Sequence, residues 1–378
     1  MRERDERMNR YKAPQYMIRL GLIILLALPA AACSIPQTML DTLFPPDLPR
    51  PTDTTMPIPT PKPTRTSTPA PTPVPFDLVW FAPNMGSRDY AELFTEPDQW
   101  SVARSRINVF KYYTQNVLND PCPICGDNTL SSFVDVQAFR KLTHWGIAIG
   151  VEVGAVKEWG CTGEEEFRVA KAAIQNIEAN GGTVTFLDMD EPFIGGELVI
   201  NGNSCGYTME QSAAVTSQFI KHVAAAYPHI IVGDTEPYPY FSVRELEQWI
   251  VALEERGVTP AYLHLDVDIE RVRVEGQDVI ADLQTLGALL QERRIPLGVI
   301  FTSNWKAAGS DRAYFDSTME WIRTVNGAIG KPQHVIFQSW QGPAANGIHE
   351  VPINLPENDP SFYSHTRLIT EGLHVFGQ

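Results

Sequence analysis

The sequence predicts an α/β fold: a closed (β/α)8 barrel that follows a signal segment and a Pro/Thr-rich linker. From Phe76 onward, short apolar runs alternate with longer helical patterns. Eight such runs can be counted, and they start roughly 30 to 45 residues apart, which is the length of a βαβ unit. Eight units in one domain favour a closed barrel. The open, doubly wound alternative lacks a G-x-G-x-x-G turn after its first strand.

The first 32 residues have the pattern of an export signal. Basic side chains precede an apolar run from Leu20 to Ala32, which is too short to span a bilayer comfortably. The run ends in small residues directly before Cys33 and resembles the lipobox of bacterial lipoproteins. The resemblance implies a lipid on Cys33 and a chain held at the bacterial cell surface. Simple secretion is the alternative, because Ala30 and Ala32 also suit an ordinary signal peptidase.

Residues 33–75 form the predicted tether. Pro and Thr dominate this segment, and such a composition cannot pack a core and stays extended as a polyproline-like spacer. The chain is therefore divided into a signal peptide at 1–32, a disordered tether at 33–75 and a barrel domain at 76–378.

Composition and charge narrow the possible partners. The chain has 378 residues, 43% of them hydrophobic, with a formal net charge of −15. A nucleic acid is excluded as a partner, because binding a polyanion requires clusters of Lys and Arg. Neutral oligo- or polysaccharides fit the balance better. We expect a monomer that needs no cofactor and touches the membrane only through its N-terminal lipid.

The eight apolar runs give the predicted strands, and helix signals lie between them. The capping-box pattern S/T-x-x-E/Q predicts helix starts at Thr162, Thr208 and Ser242. Trp249 and Trp321 lie in helical patterns and are expected to pack against the sheet. The predicted strands are Leu78 to Ala82, Ile107 to Tyr112, Ile147 to Val153, Val184 to Met189, Ile230 to Asp234, Tyr262 to Val267, Leu297 to Thr302 and Val335 to Ser339.

Polar and acidic side chains collect at the predicted carboxyl ends of these strands, the face on which barrel enzymes work. A folding core would not select buried carboxylates, since each unpaired one costs several kcal/mol. The arrangement therefore indicates a polar site whose pKa values shift one another. The candidate substrate-binding residues are Asn84, Lys111, Tyr113, Glu152, Asp188, His264, Asp266, Asp268, Asn304, Trp305, Gln338 and Trp340.

The segment from Phe186 to Pro192 resembles the strand-four signature Asn-Glu-Pro of the large retaining glycosidase clan built on this barrel. The resemblance implies that Glu191 is the acid/base, with Asp190 in the place of the Asn that holds the sugar 2-hydroxyl. The clan's nucleophile is a Glu that ends strand seven, whereas residues 302–304 of this chain are Thr-Ser-Asn. The sequence departs from the clan at that point.

Two other glycosidase types share parts of this segment. The adjacent Asp190 and Glu191 are similar to the Asp-Glu pair of hexosaminidases that use the acetamido group of the substrate. Asp188 and Asp190 are similar to the alternating aspartates of chitinases. These resemblances extend over only a few residues.

Glycoside hydrolysis needs two carboxyl groups about 5 to 10 Å apart, one protonated and one ionised. We expect Glu191 to be the general acid and Glu236 to be its partner. Each is predicted to close one of two neighbouring strands, and each is followed by Pro. Asp190 and Asp266 are the substitutes for Glu236.

Three alternatives remain open at this stage. The barrel could bind saccharides without cleaving them, since strand seven lacks a terminal carboxylate. It could be a metal-dependent hydrolase with His264, Asp266 and Asp268 as half of a cation site, although no metal is predicted. Glu152, Asp188 and Asp234 could be inner-layer groups that only position others.

Four cysteines follow Cys33, an even number that suits an oxidising compartment. Cys161 and Cys205 fall in neighbouring loops after strands three and four, so we pair them. Cys122 and Cys125 then form a local bridge. A zinc site built from all four is the alternative.

Overall fold

A computed structural model describes residues 77–118, 121–122, 124–157, 160–197, 205–303, 309–340 and 350–378. Within them, eight parallel strands close into a barrel in sequence order, with β8 paired to β1. The predicted (β/α)8 barrel is confirmed. The predicted signal segment 1–32, Cys33 and the predicted tether 33–75 lie outside the described residues.

All eight predicted strands are present, most of them within two residues of the predicted bounds. The exception is β5, which continues four residues beyond Asp234. The strands are β1 Leu78–Ala82, β2 Val109–Tyr113, β3 Ala148–Val153, β4 Val184–Asp190, β5 Ile231–Tyr238, β6 Leu263–Val267, β7 Leu297–Phe301 and β8 His334–Gln338.

Helices surround the barrel, and the predicted helix starts are confirmed. The hydroxyls of Thr162, Thr208 and Ser242 each accept a backbone N–H three residues later. The helices are α1 Glu92–Thr95, α2 Ser101–Arg106, α3 Thr114–Leu118, α4 Leu130–Asp135, α5 Ala138–Trp145, α6 Gly163–Ala179, α7 Pro192–Glu197, α8 Met209–Ala226, α9 Val243–Glu254, α10 Ile269–Glu275, α11 Val279–Arg293, α12 Asp311–Ile329 and α13 His365–Val375.

The lower part of the barrel interior is apolar and aromatic. Trp80, Phe186, Tyr262 and Ile336 form one buried cluster inside the strands. Gly233 makes room for it, because a Cβ at that position would lie 2.0 Å from the Tyr262 ring. Alternate residues of each strand face outward and pack under the helices in a second, larger core.

The outer layer also contains the two helical tryptophans. Trp249 and Trp321 are buried, as predicted for packing residues. No helix in the described segments is long and apolar enough to cross a bilayer.

Candidate active site

The carboxyl ends of β3, β4 and β6 bring four acidic side chains to one mouth: Glu152, Asp190, Glu191 and Asp266. The negative charges of Glu191, Asp190 and Glu152 all act on Asp266 and raise its pKa, so the four groups lie within electrostatic reach of one another. Strand alternation places Glu152, Asp190 and Asp266 on the inner face.

Lys111 of β2 lies at the centre of the ion-pair network below this mouth. Its Nζ lies 2.7 Å from Glu152 Oε2 and 2.6 Å from Asp188 Oδ2, and its side chain has no exposed surface. Burial alone lowers the pKa of Lys111, but the two carboxylates outweigh it and the net pKa is raised. The ammonium is therefore charged throughout the physiological pH range.

Asp188 belongs to the buried floor of the site. Its Oδ2 contacts Lys111. Its Oδ1 accepts a hydrogen bond of 2.9 Å from the Thr235 hydroxyl and lies 3.5 Å from His264 Nδ1. His264 Nε2 is in turn 2.9 Å from His334 Nδ1. Burial raises the pKa of Asp188, but Lys111 and His264 together lower it by more than burial raises it, so the net shift is downward. Asp188 is fully buried, and its contacts support the residues at the mouth.

Glu152 is the acidic group that joins this floor to the mouth. It accepts hydrogen bonds from Lys111 and, at 2.8 Å, from Gln338 Nε2. Burial raises its pKa most strongly, Lys111 lowers it, and Asp190 and Asp188 raise it again; the net result is a pKa of about 7. Glu152 therefore changes charge near neutral pH.

Lys157, in the loop after β3, pairs with both carboxylates that end β4. Its Nζ lies 3.0 Å from Asp190 Oδ2 and 3.3 Å from Glu191 Oε2. Burial lowers the pKa of Lys157, and the two carboxylates reverse that shift and raise it. The contact supplies a fixed positive charge beside Glu191.

The disulfide between Cys161 and Cys205 lies against the backbone of this lysine. The two sulfur atoms lie 3.8 Å and 3.5 Å from the Lys157 carbonyl oxygen. Lys157 and Gly160 also exchange backbone hydrogen bonds of 3.2 Å and 3.0 Å. Both predicted disulfides are confirmed, with Cα–Cα distances of 5.6 Å for Cys161–Cys205 and 5.3 Å for Cys122–Cys125.

Glu191 has an unusual backbone conformation. Its φ is +52°, in the left-handed region that residues with a side chain rarely adopt. Its N–H donates to Thr235 O at 2.9 Å, and its carbonyl accepts from Gly195 N at 2.8 Å. The turn directs the chain from β4 into α7 and leaves the Glu191 side chain partly exposed at the mouth.

Asp266 differs from the other acids at the mouth because no cation holds it. Its side chain makes no hydrogen bond or ion pair with any residue in the described part of the chain. Its removal from bulk water and the nearby charges of Glu191 and Asp190 raise its pKa well above the ordinary value. The raised pKa favours the protonated form of Asp266, which can donate a proton.

Glu236 does not reach the mouth, contrary to the prediction from sequence. Because β5 continues to Tyr238, Glu236 lies within the strand, on the outer face together with Asp234. Its Oε1 accepts a hydrogen bond of 2.8 Å from Phe193 N, and the side chain is fully buried. Asp234 accepts a hydrogen bond of 2.7 Å from Trp249 Nε1.

Several other predicted binding residues are buried or bonded within the protein. Asn84 accepts from Gly86 N at 2.9 Å, and the Tyr113 hydroxyl donates to Ser339 O at 2.9 Å. Asp268 is exposed and caps the start of α10 by accepting from Arg271 N at 3.0 Å. Trp340 is half-buried against the inner aromatic cluster. Asn304 and Trp305 lie outside the described residues.

Three residues of the site were not predicted from the sequence: Lys157, Thr235 and His334. Lys157 lies in an irregular loop, and the closeness of Cys161 was the signal that could have drawn attention to it. Thr235 and His334 lie in strands whose inward alternation could have identified them.

A metal centre has no support in the described segments. No group of three His, Cys, Asp or Glu side chains in them is arranged to hold an ion. His264, the one nitrogen ligand of the predicted half-site, is buried and bonded to His334.

No protein-family profile matches the chain, and no curated protein matches its sequence. Solved structures share its fold. GH5_18 from Streptomyces cattleya, solved with GlcNAc, matches with a TM-score of 0.52 and 9% identity over 80% of this chain and 81% of that one. Fungal β-1,4-galactanases match with a TM-score of 0.50 and 10% identity over 78% of this chain and 99% of that one. The chain therefore has the barrel fold that these glycoside hydrolases also have.

Proposed function

We propose that the barrel hydrolyses glycosidic bonds, with Asp266 as the proton donor and Glu191 as the ionised carboxylate. The observation that carries the proposal is the contrast between these two acids at one mouth. Glu191 touches the Lys157 ammonium at 3.3 Å, whereas Asp266 has no such partner and its pKa is raised. Two carboxyl groups whose surroundings make one ionised and the other protonated are what this reaction requires.

In this mechanism, Asp266 donates its proton to the oxygen of the leaving sugar as the glycosidic bond breaks. Glu191 either attacks the anomeric carbon or removes a proton from the water that attacks it. The roles differ from the sequence-based expectation, which gave the proton to Glu191. β4 and β6 are separated by β5 alone, so their backbones lie on the order of 10 Å apart and inward side chains can face each other across a sugar.

The test is hydrolysis of a panel of β-linked glycans by the purified protein. Glu191→Gln and Asp266→Asn should each reduce kcat by about 10²- to 10⁴-fold, because general acid–base assistance is lost. Glu164→Gln, a change at an exposed glutamate of α6, is the control and should be silent. Parental rates in both mouth variants would reject the assignment.

A second candidate is a barrel that binds saccharides without cleaving them. It is favoured by one observation: the described residues at the end of β7, Phe301, Thr302 and Ser303, include no carboxylate. Saccharide binding to the parent, without turnover across the panel, would support this candidate.

We also propose that the chain is exported and anchored through a lipid on Cys33, with residues 33–75 as the spacer. The support is the order of signal, small residues, Cys and Pro/Thr-rich segment. The parent should partition into detergent and Cys33→Ala should not. A parent that is free in the medium would support simple secretion.

A further inference from the structure

Glu236 is a buried carboxyl group that the proposed reaction does not use. It lies on the outer face of β5, fully buried beneath the short helix α7. One of its oxygens, Oε1, accepts the Phe193 N–H at 2.8 Å. Its second oxygen, Oε2, has no hydrogen-bond partner among the described residues. A group held in this way is costly to bury, so its single bond needs an explanation.

The bond lies two residues from Glu191. Pro192 follows Glu191 and has no N–H, so Phe193 carries the first amide proton after the turn. The turn itself is strained, since Glu191 has a φ of +52°. β5 therefore holds the turn at two points: Thr235 O accepts the Glu191 N–H, and Glu236 accepts the Phe193 N–H.

We propose that Glu236 is a positioning residue that fixes the Glu191 turn by binding the Phe193 N–H. The inference rests on the proposed role of Glu191. Loss of the bond would free a buried amide beside a strained residue, and the turn could then relax toward ordinary backbone angles. The Glu191 carboxylate would move away from Lys157 and from the bound sugar. Misplacement of a reacting group by about 1 Å can cost about 10²-fold in rate.

The surroundings of Glu236 indicate that only its hydrogen-bond acceptor matters. Burial, and then the charge of Asp234, raise its pKa well above the ordinary value, which favours the neutral form in the folded protein. A glutamine has the same shape, no charge and a carbonyl oxygen that can accept the Phe193 N–H. Methionine has a similar size and provides no comparable acceptor.

The experiment compares Glu236→Gln, Glu236→Met and a matched control, Asp234→Leu. Asp234 lies two residues earlier on the same buried face and accepts from Trp249, whose ring stacks on the Phe193 ring, whereas Glu236 binds the Phe193 backbone N–H itself. Two quantities are measured: hydrogen exchange of the Phe193 amide, and kcat and KM separately. Glu236→Met should increase Phe193 exchange and reduce kcat about 10- to 100-fold with little change in KM. Glu236→Gln should keep slow exchange and most of kcat, and Asp234→Leu should lower stability while changing Phe193 exchange and kcat less than Glu236→Met does.

Two results would overturn the proposal. Slow Phe193 exchange and parental kcat in Glu236→Met would show that the bond positions nothing. A loss of kcat in Glu236→Gln as large as in Glu191→Gln would show that Glu236 takes part in proton transfer itself. A parent that cleaves no glycan would reject the proposed function alone, because the exchange measurement still tests whether Glu236 holds the turn.

Discussion

The Lys111 ammonium lies 2.6 Å from the Asp188 carboxylate, and neither side chain has any exposed surface. Together with Glu152, 2.7 Å from the same nitrogen, the pair forms the base on which the acidic mouth is built. Three charges in a water-poor interior are tolerated because each is paired. The floor of the site is therefore an electrostatic unit and cannot be changed one residue at a time without cost.

Removal of the central cation should show this dependence. Lys111→Met keeps most of the side-chain volume and leaves two buried carboxylates unpaired. We expect a loss of about 3–5 kcal/mol in the free energy of unfolding, measured by urea denaturation at pH 7. Because protonation relieves the unpaired carboxylates, the loss should be smaller at pH 5. A variant as stable as the parent at pH 7 would contradict the ion-pair network described for the floor.

The pH dependence of stability should depend on Asp234. Burial raises the pKa of this carboxyl group to about 7, against an ordinary value of 3.8. Between these values the folded state holds a proton that the unfolded state has released, so stability falls as pH rises through this window. Asp234→Asn can still accept the Trp249 N–H and cannot ionise. It should remove this contribution and stabilise the protein at pH 8 by on the order of 4 kcal/mol.

The measurement is thermal or urea unfolding of parent and Asp234→Asn at several values between pH 4 and pH 8. Glu152, whose pKa is also about 7, contributes to the slope in both proteins, so only the difference between the two curves reports on Asp234. Curves that stay parallel across this range would show that Asp234 is not neutral in the folded protein.

The disulfide between Cys161 and Cys205 should affect both stability and catalysis. It closes a loop of 44 residues, and its loss should cost about 4 kcal/mol through the entropy of the unfolded chain. Because both sulfurs lie against the Lys157 carbonyl, the variant Cys161→Ser/Cys205→Ser should also lower kcat. The matched control is Cys122→Ser/Cys125→Ser, whose bridge joins residues only 3 positions apart in the segment between α3 and α4. Equal kcat losses in the two variants would show that the Cys161–Cys205 disulfide has no specific effect on the site.

The barrel was predictable from sequence because apolar runs at regular spacing specify its strands directly. The end of β5 was not predictable, since Glu236 followed by Pro237 is typical of the start of a loop. The strand continues through both residues to Tyr238. That difference of four residues moved Glu236 from the expected mouth to the outer face. Pro237 keeps its place in the strand, in register with Asp266 of β6.

The acidic character of the mouth was also predictable, and its pairing was not. Glu191 and Asp266 could be selected because they are acids at the ends of strands. Lys157, the cation that pairs with Glu191 and not with Asp266, lies in the loop after β3. A disulfide joins Cys161 of that loop to Cys205, 44 positions further along the chain. Contacts of this kind depend on tertiary structure, and the nearby Cys161 is the one local sequence signal for this contact.

The central claim is that Asp266 gives a proton to the leaving group and Glu191 acts as the ionised carboxylate. The most direct measurement is the hydrolysis rate of Asp266→Asn and Glu191→Gln on two aryl β-glycosides, one with an activated leaving group and one without. Asp266→Asn should lose about 10²- to 10⁴-fold on the poor leaving group and much less on the activated one, which needs no proton. Glu191→Gln should lose activity on both. The reverse pattern would exchange the two roles, and parental rates in both variants would contradict the account.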